Sequence, residues 1–475
     1  MTMTSFDASS KYSILNHARL MLGQSLNDRY NHIVCKQPQR QGKGGLGQAM
    51  EEIHFKYHPN SEAKPDFEQA GVELKCTPLK ILANGSMVSK ERLVLNIINY
   101  IEEADKTFHT SSFWMKNNCL LLMFYLHEAD KNMYDYVFKL IRYWEFPDTD
   151  LKIIMDDWQK IHEKILSGRA HEISEGDTFY LGACPKGSKK NAEMRPQPYS
   201  STPAPQRAYS LKSRYINTII LDSVNHPDAY DGVELLPSQR AKIHRQIAQA
   251  DNIVKSLADY HPAETFEQLI ERRFKPYYGK TITEIEAQLG CKVSDSPKAI
   301  SYTLCRAILG VKSPKIAEFE KANIQLKSIR LQHNGTLKEA MVFDTIKYVE
   351  LMEEPDWESS KLFETLTQRF LFVVFRKSSD NIDNEAVLEK IFFWTMPVSD
   401  LEIAKSVWDD TRAKVDNGDY DNFIKQSDKL ICHLRPKARN SSDLILTPQG
   451  VMKPKKAFWL NRSYVLDIVN SNISR

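Results

Sequence analysis

Two similar α/β domains in tandem are the fold this sequence predicts, and three observations carry the expectation. At 475 residues the chain is longer than one core of usual size accommodates. Ordered matches recur within it at an offset of about 250 residues. The longest apolar runs, near Cys119–Leu126 and Phe370–Phe375, are too short to cross a bilayer and read as buried strands.

Lys43-Gly44-Gly45-Leu46-Gly47-Gln48-Ala49-Met50-Glu51 is a glycine-rich stretch running into a helix-like segment. The surrounding Cys35–Ala49 carries Lys36, Arg40 and Lys43 and no acid, which suits a backbone approaching phosphates. Gly71–Cys76 reads as a strand followed by a turn at Pro78, and Arg92–Tyr100 as another strand. Asp177–Cys184 is strand-like. It leads into Cys184–Arg207, where Lys186, Lys189, Lys190, Arg195 and Arg207 face the single acid Glu193 in a Pro-, Ser- and Gly-rich context. Composition makes this a solvated loop; its place between a strand and a helix makes it a candidate major-groove loop. An amphipathic helix is expected from about Arg207 to Ser223.

The expected boundaries are 1–223 for the first domain, 224–261 for a connector and 262–475 for the second. Within the connector, Ser238–Tyr260 places Ile243, Ile247, Ile253 and Leu257 at helical spacing, so a stiff helical linker is expected.

The repeat is visible residue by residue. Gly23-Gln24-Ser25-Leu26 returns as Gly279-Lys280-Thr281-Ile282, and Asp66–Lys75 returns as Glu318–Lys327. Lys90–Val94 and Tyr100 return as Lys338–Val342 and Tyr348. Trp158, Lys164 and Gly168 return as Trp408, Lys414 and Gly418. Arg207-Ala208-Tyr209 and Tyr215 return as Lys456-Ala457-Phe458 and Tyr464.

Composition excludes little. A net charge of +3 is too small to argue for nucleic acid unless the basic residues cluster. The seven cysteines form no CxxC pair and are odd in number, against a disulfide framework or zinc site and for a reducing cytosol. The polar start Met1–Lys11 does not read as a signal peptide, and no membrane partner is expected.

Chemistry concentrates in Pro65–Lys75. Strand alternation points Glu73 and Lys75 to one face and Leu74 to the other. Asp66 lies seven residues before Glu73, with Gly71 between them as a point where the chain can turn back. Two carboxylates, with the Leu74 carbonyl, suit a hard cation such as Mg²⁺. A lysine beside it can orient or deprotonate a water for attack on a phosphodiester. The spacing alone recurs by chance about once per chain of this size, so its context matters.

Lys43-Gly44-x-x-Gly47-Gln48-x-x-Glu51 followed by Asp66-x6-Glu73-x-Lys75 resembles the MutH and Sau-three-A type endonucleases of the PD-(D/E)XK superfamily. Ser89–Tyr100, His171–Gly176 and Gln206–Ser213 are similar to the restriction-enzyme branch, so the resemblance covers nearly the whole chain. It implies, for each domain, a mixed central sheet flanked by helices, α+β in detail. It implies a type II restriction endonuclease that recognises double-stranded GATC and cuts both strands before the G, leaving a 5′-phosphate and a 3′-hydroxyl. Asp66, Glu73 and the Leu74 carbonyl would hold Mg²⁺, Lys75 would position the attacking water, and Glu51 would act through the metal's water shell or a second ion.

Lys43 falls in the glycine-rich stretch, among the expected DNA contacts. By the same resemblance, Pro185 and Lys186 contact recognition bases, although Cys184 stands where the mismatch-repair branch carries arginine. Arg207, Lys212 and Arg214 are expected at phosphates. Ser210 replaces a bulky tyrosine that senses adenine methylation and leaves room for a methyl group. A mismatch-repair nickase of MutH type and a non-catalytic GATC-binding regulator are the rival readings.

In the second copy Glu73 becomes Gln325, and no acid occurs from Lys298 to Ala317 where a counterpart of Glu51 should lie. Neutral oxygens compensate poorly for a lost anionic ligand, so this copy is expected not to cleave. The resemblance implies that it binds a second GATC site as an effector, with Arg435, Pro436, Lys437 and Lys456 as candidate contacts. One active cluster per chain cuts one strand at a time, so a monomer that pairs on DNA is expected. A methyltransferase acting on the same sites and a bacterial cytoplasmic location complete the expectation.

Overall fold

Gly71, at a φ of +67°, turns the chain so that Phe67 and Val72 face each other in an isolated antiparallel bridge. Only a residue without a Cβ adopts that left-handed conformation freely. At the matching place in the second half stands Asn323, at a φ of +54°, the side chain that best tolerates it. The structure is a computed structural model that describes residues 6–34, 44–58, 64–82, 84–186, 193–225, 250–292, 297–338, 340–378 and 386–473.

These residues cluster into two units. The first is drawn from Met1–Ile173, Asp177–Asp259 and Ser313–Asn323, the second from Ser174–Gly176, Tyr260–Lys312 and Ile324–Arg475.

In the first unit the strands begin with β1 (Glu73–Ile81), β2 (Met87–Ser89), β3 (Leu93–Ile97), β4 (Cys119–Leu126) and β5 (Phe138–Glu145). They continue with β6 (Leu181–Pro185), β7 (Met194–Gln197), β8 (Ser200–Pro205) and β9 (Arg207–Leu211). One sheet has the order β2-β1-β4-β5 and is mixed, since β1 and β4 run parallel while β2 and β5 are antiparallel to their neighbours. A second sheet has the order β3-β9-β6, and β7-β8 forms a hairpin. Short strands β10 (Ala250–Asp251) and β11 (Lys315–Ile316) pair in parallel.

The second unit contains β12 (Gln325–Leu331), β13 (Met341–Thr345), β14 (Phe370–Arg376), β15 (Val387–Trp394) and β16 (Cys432–Pro436). It ends with β17 (Leu444–Leu446), β18 (Met452–Pro454) and β19 (Lys456–Leu460). Its sheets run β12-β14-β15 and β13-β19-β16, with the β17-β18 hairpin.

The registers of the two units correspond. Glu73 lies opposite Leu120 in the parallel β1/β4 pair, and Gln325 opposite Phe370 in β12/β14. Leu211 pairs with Leu93 and Leu181 as Leu460 pairs with Met341 and Cys432. Tyr100 Oη donates to the Pro205 carbonyl at 2.6 Å, and Tyr348 Oη to the Pro454 carbonyl at 3.2 Å. Helices Asp148–Leu166 and Val398–Asp416 each span 19 residues behind a proline N-cap. Each is followed by a left-handed glycine, Gly168 or Gly418.

Apolar spacing explains these long helices. Ile153, Ile154, Trp158, Ile161 and Ile165 fall on the buried face of the first, as do Leu401, Val407, Trp408 and Val415 on the second. Each such side chain contributes roughly 1.5–3 kcal/mol on burial.

Four expectations need correction. The strand Gly71–Cys76 does not end before a turn at Pro78; β1 runs on to Ile81. Pro78 is tolerated because its carbonyl accepts from Lys90 N–H on the β2 side, so the missing N–H removes no bond toward β4. Arg207–Leu211 is a strand, fully buried between β3 and β6, and the helix begins only at Ser213. The expected strand Asp177–Cys184 starts at Leu181, because the Asp157 carboxylate takes the N–H groups of Phe179, Tyr180 and Leu181 at 2.7, 2.6 and 2.9 Å.

The expected helical linker lies mostly outside the described residues. Its described end, 250–260, forms β10 and a 3₁₀ turn at Leu257–Asp259 instead of a helix. Ile253 and Val254 are buried there with their N–H groups bonded to Glu318. Among the described residues no helix is long and apolar enough to cross a membrane.

Candidate active site

The turn at Gly71 and the start of β1 place Asp66, Glu73 and Lys75 together. Asp66 N–H donates to Glu73 Oε2 at 3.1 Å, and Leu74 N–H donates to Asp66 Oδ2 at 2.9 Å. A strand residue's N–H and C=O point to the same side, so the Leu74 carbonyl lies on the Asp66 side of β1. Lys75 Nζ is 2.6 Å from Glu73 Oε1. Glu73 is 1 % exposed, at the end of a strand whose Leu74 packs into the core.

Glu51 comes from the preceding element. Helix Gly45–Ala49 widens into a π-helix, Met50–Phe55, that ends at Lys56 in the left-handed conformation. Such a bulge rotates the residues of its turn relative to a regular helix, a device common at functional sites. Burial lifts the Glu51 carboxyl to about 7, with repulsion from Asp66 and Glu73 added and Lys75 and Lys116 opposing. Glu73 is lifted to about 7 by burial too, against Lys75 and Lys116, with Asp66 adding repulsion.

Two contributors were not expected. Lys116, on the short helix Ser112–Asn117, is nearly buried and stands 3.7 Å from Glu73 Oε1. Tyr57 is held by its N–H to the Glu51 carbonyl at 3.0 Å, and its hydroxyl is buried without a hydrogen-bond partner. Burial, with Asp66, Glu51 and Glu73 nearby, pushes this phenol far above its ordinary value, so it remains a neutral O–H. The clue to Lys116 was its place three residues before Cys119–Leu126, but only the parallel pairing of β1 with β4 gives that meaning.

This donor set fits a divalent cation. Its oxygens are hard, its carboxyls are destabilised as anions by burial and by one another, and an unpartnered hydroxyl sits among them. Among the described residues no three His, Cys, Asp or Glu side chains already form a closed metal-holding group. The ion would therefore rest on Asp66, Glu73 and the Leu74 carbonyl with water filling other positions, as Mg²⁺ prefers.

The remaining expected contacts divide. Lys43 lies outside the described residues. Pro185 and Lys186 are exposed at the end of β6, and Lys186 N–H donates to the Gln206 carbonyl at 2.8 Å. Arg207, paired across from Pro185, is buried and donates from Nη1 to the Ala183 carbonyl at 2.8 Å. Ser210 is wholly buried between Val94 and Gly182, its hydroxyl unpartnered. Lys212 donates to the Thr178 carbonyl, while Arg214 is exposed.

In the second unit Gln325 and Lys327 occupy the places of Glu73 and Lys75. Burial draws Lys327 below the ordinary lysine value, with Asp344 opposing and Lys437 assisting. Glu318, which the repeat aligns with Asp66, falls within the first unit, where it is buried and accepts from Ile253 and Val254 N–H at 3.0 and 2.9 Å. Arg435, Pro436 and Lys456 line one cavity of about 260 Å³. The Arg435 guanidinium lies 4.6 Å from the Trp459 ring centre, and Lys456 donates to the Tyr420 carbonyl at 2.6 Å. Lys437 instead donates to the Phe343 carbonyl at 2.6 Å.

The family model described as "DNA mismatch repair enzyme MutH" matches residues 55–157 and again 309–406. The chain is 33% identical, over 95% of its own length and 93% of the relative's, to the type II restriction enzyme Sau3AI of Staphylococcus aureus. Tandem MutH-like folds, the interlocked acidic cluster and this identity together show that the chain belongs to the Sau3AI-like family of MutH-fold type II restriction endonucleases, site-specific deoxyribonucleases.

Proposed function

We propose that this endonuclease recognises double-stranded GATC and cuts both strands before the G with Mg²⁺, using the first copy alone, while the second copy binds another GATC site as an effector. The observation that carries the reading is the contrast at one structural position. Glu73 is interlocked with Asp66 and Lys75, whereas Gln325 carries no charge and Glu318 is committed to two backbone N–H groups.

Asp66, Glu73 and the Leu74 carbonyl would hold the metal, and Glu51 would act through its water shell or a second ion. The bound ion supplies charge neutralisation at the scissile phosphate and a more acidic water. Lys75, fixed by Glu73, positions the attacking water. Its oxygen forms the new bond to phosphorus as the bond to the 3′ oxygen breaks, leaving a 5′-phosphate and a 3′-hydroxyl. Lys116 adds positive charge beside Glu73 and opposes the burial that raises that carboxyl.

Pro185 and Lys186 are our candidates for base contacts, and exposed Arg214 for a phosphate. Lys43 is proposed as a DNA contact from its place in the sequence, while Ser210 and Arg207, both buried, and Lys212 would act from beneath the proposed DNA face. Arg207 and Lys212 are already tied to carbonyls, which makes them supports for β9 more than free phosphate ligands. Arg435, Pro436, Lys437 and Lys456 are the candidate effector contacts. A chain that is monomeric in free solution and pairs on DNA accounts for a double-strand break. A cytoplasmic location and a methyltransferase protecting the same sites go with this reading.

Digestion of plasmids with one and two GATC sites by wild type and Glu73→Ala tests it. Linear product that forms faster on the two-site plasmid and vanishes in the variant is expected. Nicked circles as the final product would favour a mismatch-repair type nickase. Absence of any Mg²⁺-dependent product would leave a GATC-binding regulator.

A further inference from the structure

The second copy keeps the lysine of the cleavage motif after losing the acid that neutralises it. In the first copy Lys75 pairs with Leu122 across the parallel strands, and its ammonium lies 2.6 Å from Glu73 Oε1. In the second, Lys327 pairs with Phe372 in the same register, and Gln325 stands where Glu73 does. Lys327 is half-buried, and among the described residues its ammonium has no hydrogen bond or ion pair and is not sealed from solvent. A partly desolvated cation without a partner is costly and is relieved by an anion.

The surroundings favour an anion as well. Lys437 is near enough for its charge to act on Lys327, and its own ammonium is bonded to a neutral group, the Phe343 carbonyl, at 2.6 Å. Asp344, exposed on β13, acts on Lys327 in the opposite sense but forms no ion pair with either lysine among the described residues. Strand alternation puts Gln325 on the same face as Lys327. Its amide N–H can donate to a phosphate oxygen, whereas a carboxylate only accepts. Gln325 is also more open than Glu73, which is 1 % exposed. In the first copy the carboxylates of Glu51, Asp66 and Glu73 repel a phosphate until a cation intervenes, and Gln325 adds no such repulsion.

We propose that Lys327, with the Gln325 amide and Lys437, binds a backbone phosphate of a nucleic-acid strand directly, without a divalent cation. The site rests on the effector reading of the second copy and extends it. Lys437 takes the place of Lys186, because Pro436 pairs with Lys456 as Pro185 pairs with Arg207. A strand held as in the first copy therefore brings a phosphate to Lys327. The former cleavage position becomes an anchor, and its loss acts on binding and on stimulation by a second site, not on the cleavage step itself.

Fluorescence anisotropy of a labelled GATC duplex with the full chain in EDTA tests the site. Wild type should bind saturably, and Lys327→Ala at least tenfold more weakly, in keeping with the loss of a charge-assisted bond. The slope of log affinity against log salt should fall by about one for the lost phosphate contact. Lys327→Arg should keep the affinity within threefold. Gln325→Glu, which rebuilds the carboxylate beside the lysine, should weaken binding as much as Lys327→Ala. These two variants keep the test valid if Lys327→Ala does not fold. Millimolar inorganic phosphate at matched ionic strength should leave the duplex bound; displacement would identify a free anion as the occupant and overturn the strand. If a duplex lacking GATC binds equally well and Lys327→Ala weakens both, the effector reading falls and the phosphate site stands. Binding unchanged in Lys327→Ala but weakened in Arg435→Ala would overturn the phosphate site and leave the effector reading standing. No binding by wild type in EDTA would overturn the proposal.

Discussion

The two copies share a scaffold and differ in where their polar side chains are committed. Tyr100 and Tyr348 make the same bond to a carbonyl, and β1/β4 and β12/β14 have the same parallel register. Yet Asp66 caps Leu74 N–H within the acidic cluster, whereas Glu318 binds Ile253 and Val254 N–H. Lys75 faces a carboxylate at 2.6 Å, whereas Lys327 sits partly buried between Asp344 and Lys437 and loses basicity. The fold tolerates the loss of the cluster because its stability comes from the shared apolar core, while a metal site needs every anionic ligand.

The largest effect that could break this comparison is at Lys75. Lys75→Ala should lower Mg²⁺-dependent cleavage by about 10³-fold, as expected for removing a group that acts on the attacking water, with DNA binding in Ca²⁺ retained. Lys327→Ala should leave the cleavage step unchanged. Single-turnover assays on a one-site duplex check both. Next comes Lys116→Ala, with an expected fall of about 10–100-fold from its supporting place beside Glu73. An unchanged rate would reduce Lys116 to packing.

Much of this was legible in the residues, and the limits were physical. Asp66, Gly71, Glu73 and Lys75 were readable because strand alternation and one glycine turn bring nearby residues together. Lys116 was not, because its contact with Glu73 depends on a parallel crossover between distant strands. The strand at Arg207–Leu211 was missed because apolar and polar residues there are all buried, so neither face shows in the pattern. Commitment of Glu318 to residues 65 and 64 positions away likewise leaves no local trace.

A smaller effect should separate the units on acidification. His54 is buried in the first unit, stacked on His17, with Nδ1 2.8 Å from Tyr30 Oη and Nε2 2.9 Å from the His17 carbonyl. Burial, with His17 adding, lowers its pKa to about 3. A depressed histidine stabilises the fold fully above its unfolded value near 6.5 and loses that contribution as pH falls toward 3. By pH 5 the loss is roughly 2 kcal/mol. Because the raised Glu51 and Glu73 carboxyls shift stability the opposite way over the same range, the His54 contribution is read as the difference between wild type and His54→Gln in hydrogen exchange across Met50–Phe55 at pH 7 and pH 5; equal slopes would contradict it.

The smallest expected difference is between the shared tyrosines. Tyr100→Phe and Tyr348→Phe should each cost about 1 kcal/mol in their own unit, the usual worth of one hydrogen bond. Hydrogen exchange resolved by unit checks this, and a cost confined to one variant would show that the scaffolds are not equivalent.

The central claim is that cleavage resides in the first copy and that the second cannot be revived by its missing charge alone. The most direct measurement is Mg²⁺-dependent digestion of a GATC-containing plasmid by Glu73→Gln and by Glu73→Gln combined with Gln325→Glu. Both proteins should leave the plasmid intact, because Glu318 stays bound to Ile253 and Val254 and the helix before β14 offers no counterpart of Lys116 at its end. Cleavage by either protein would contradict the account.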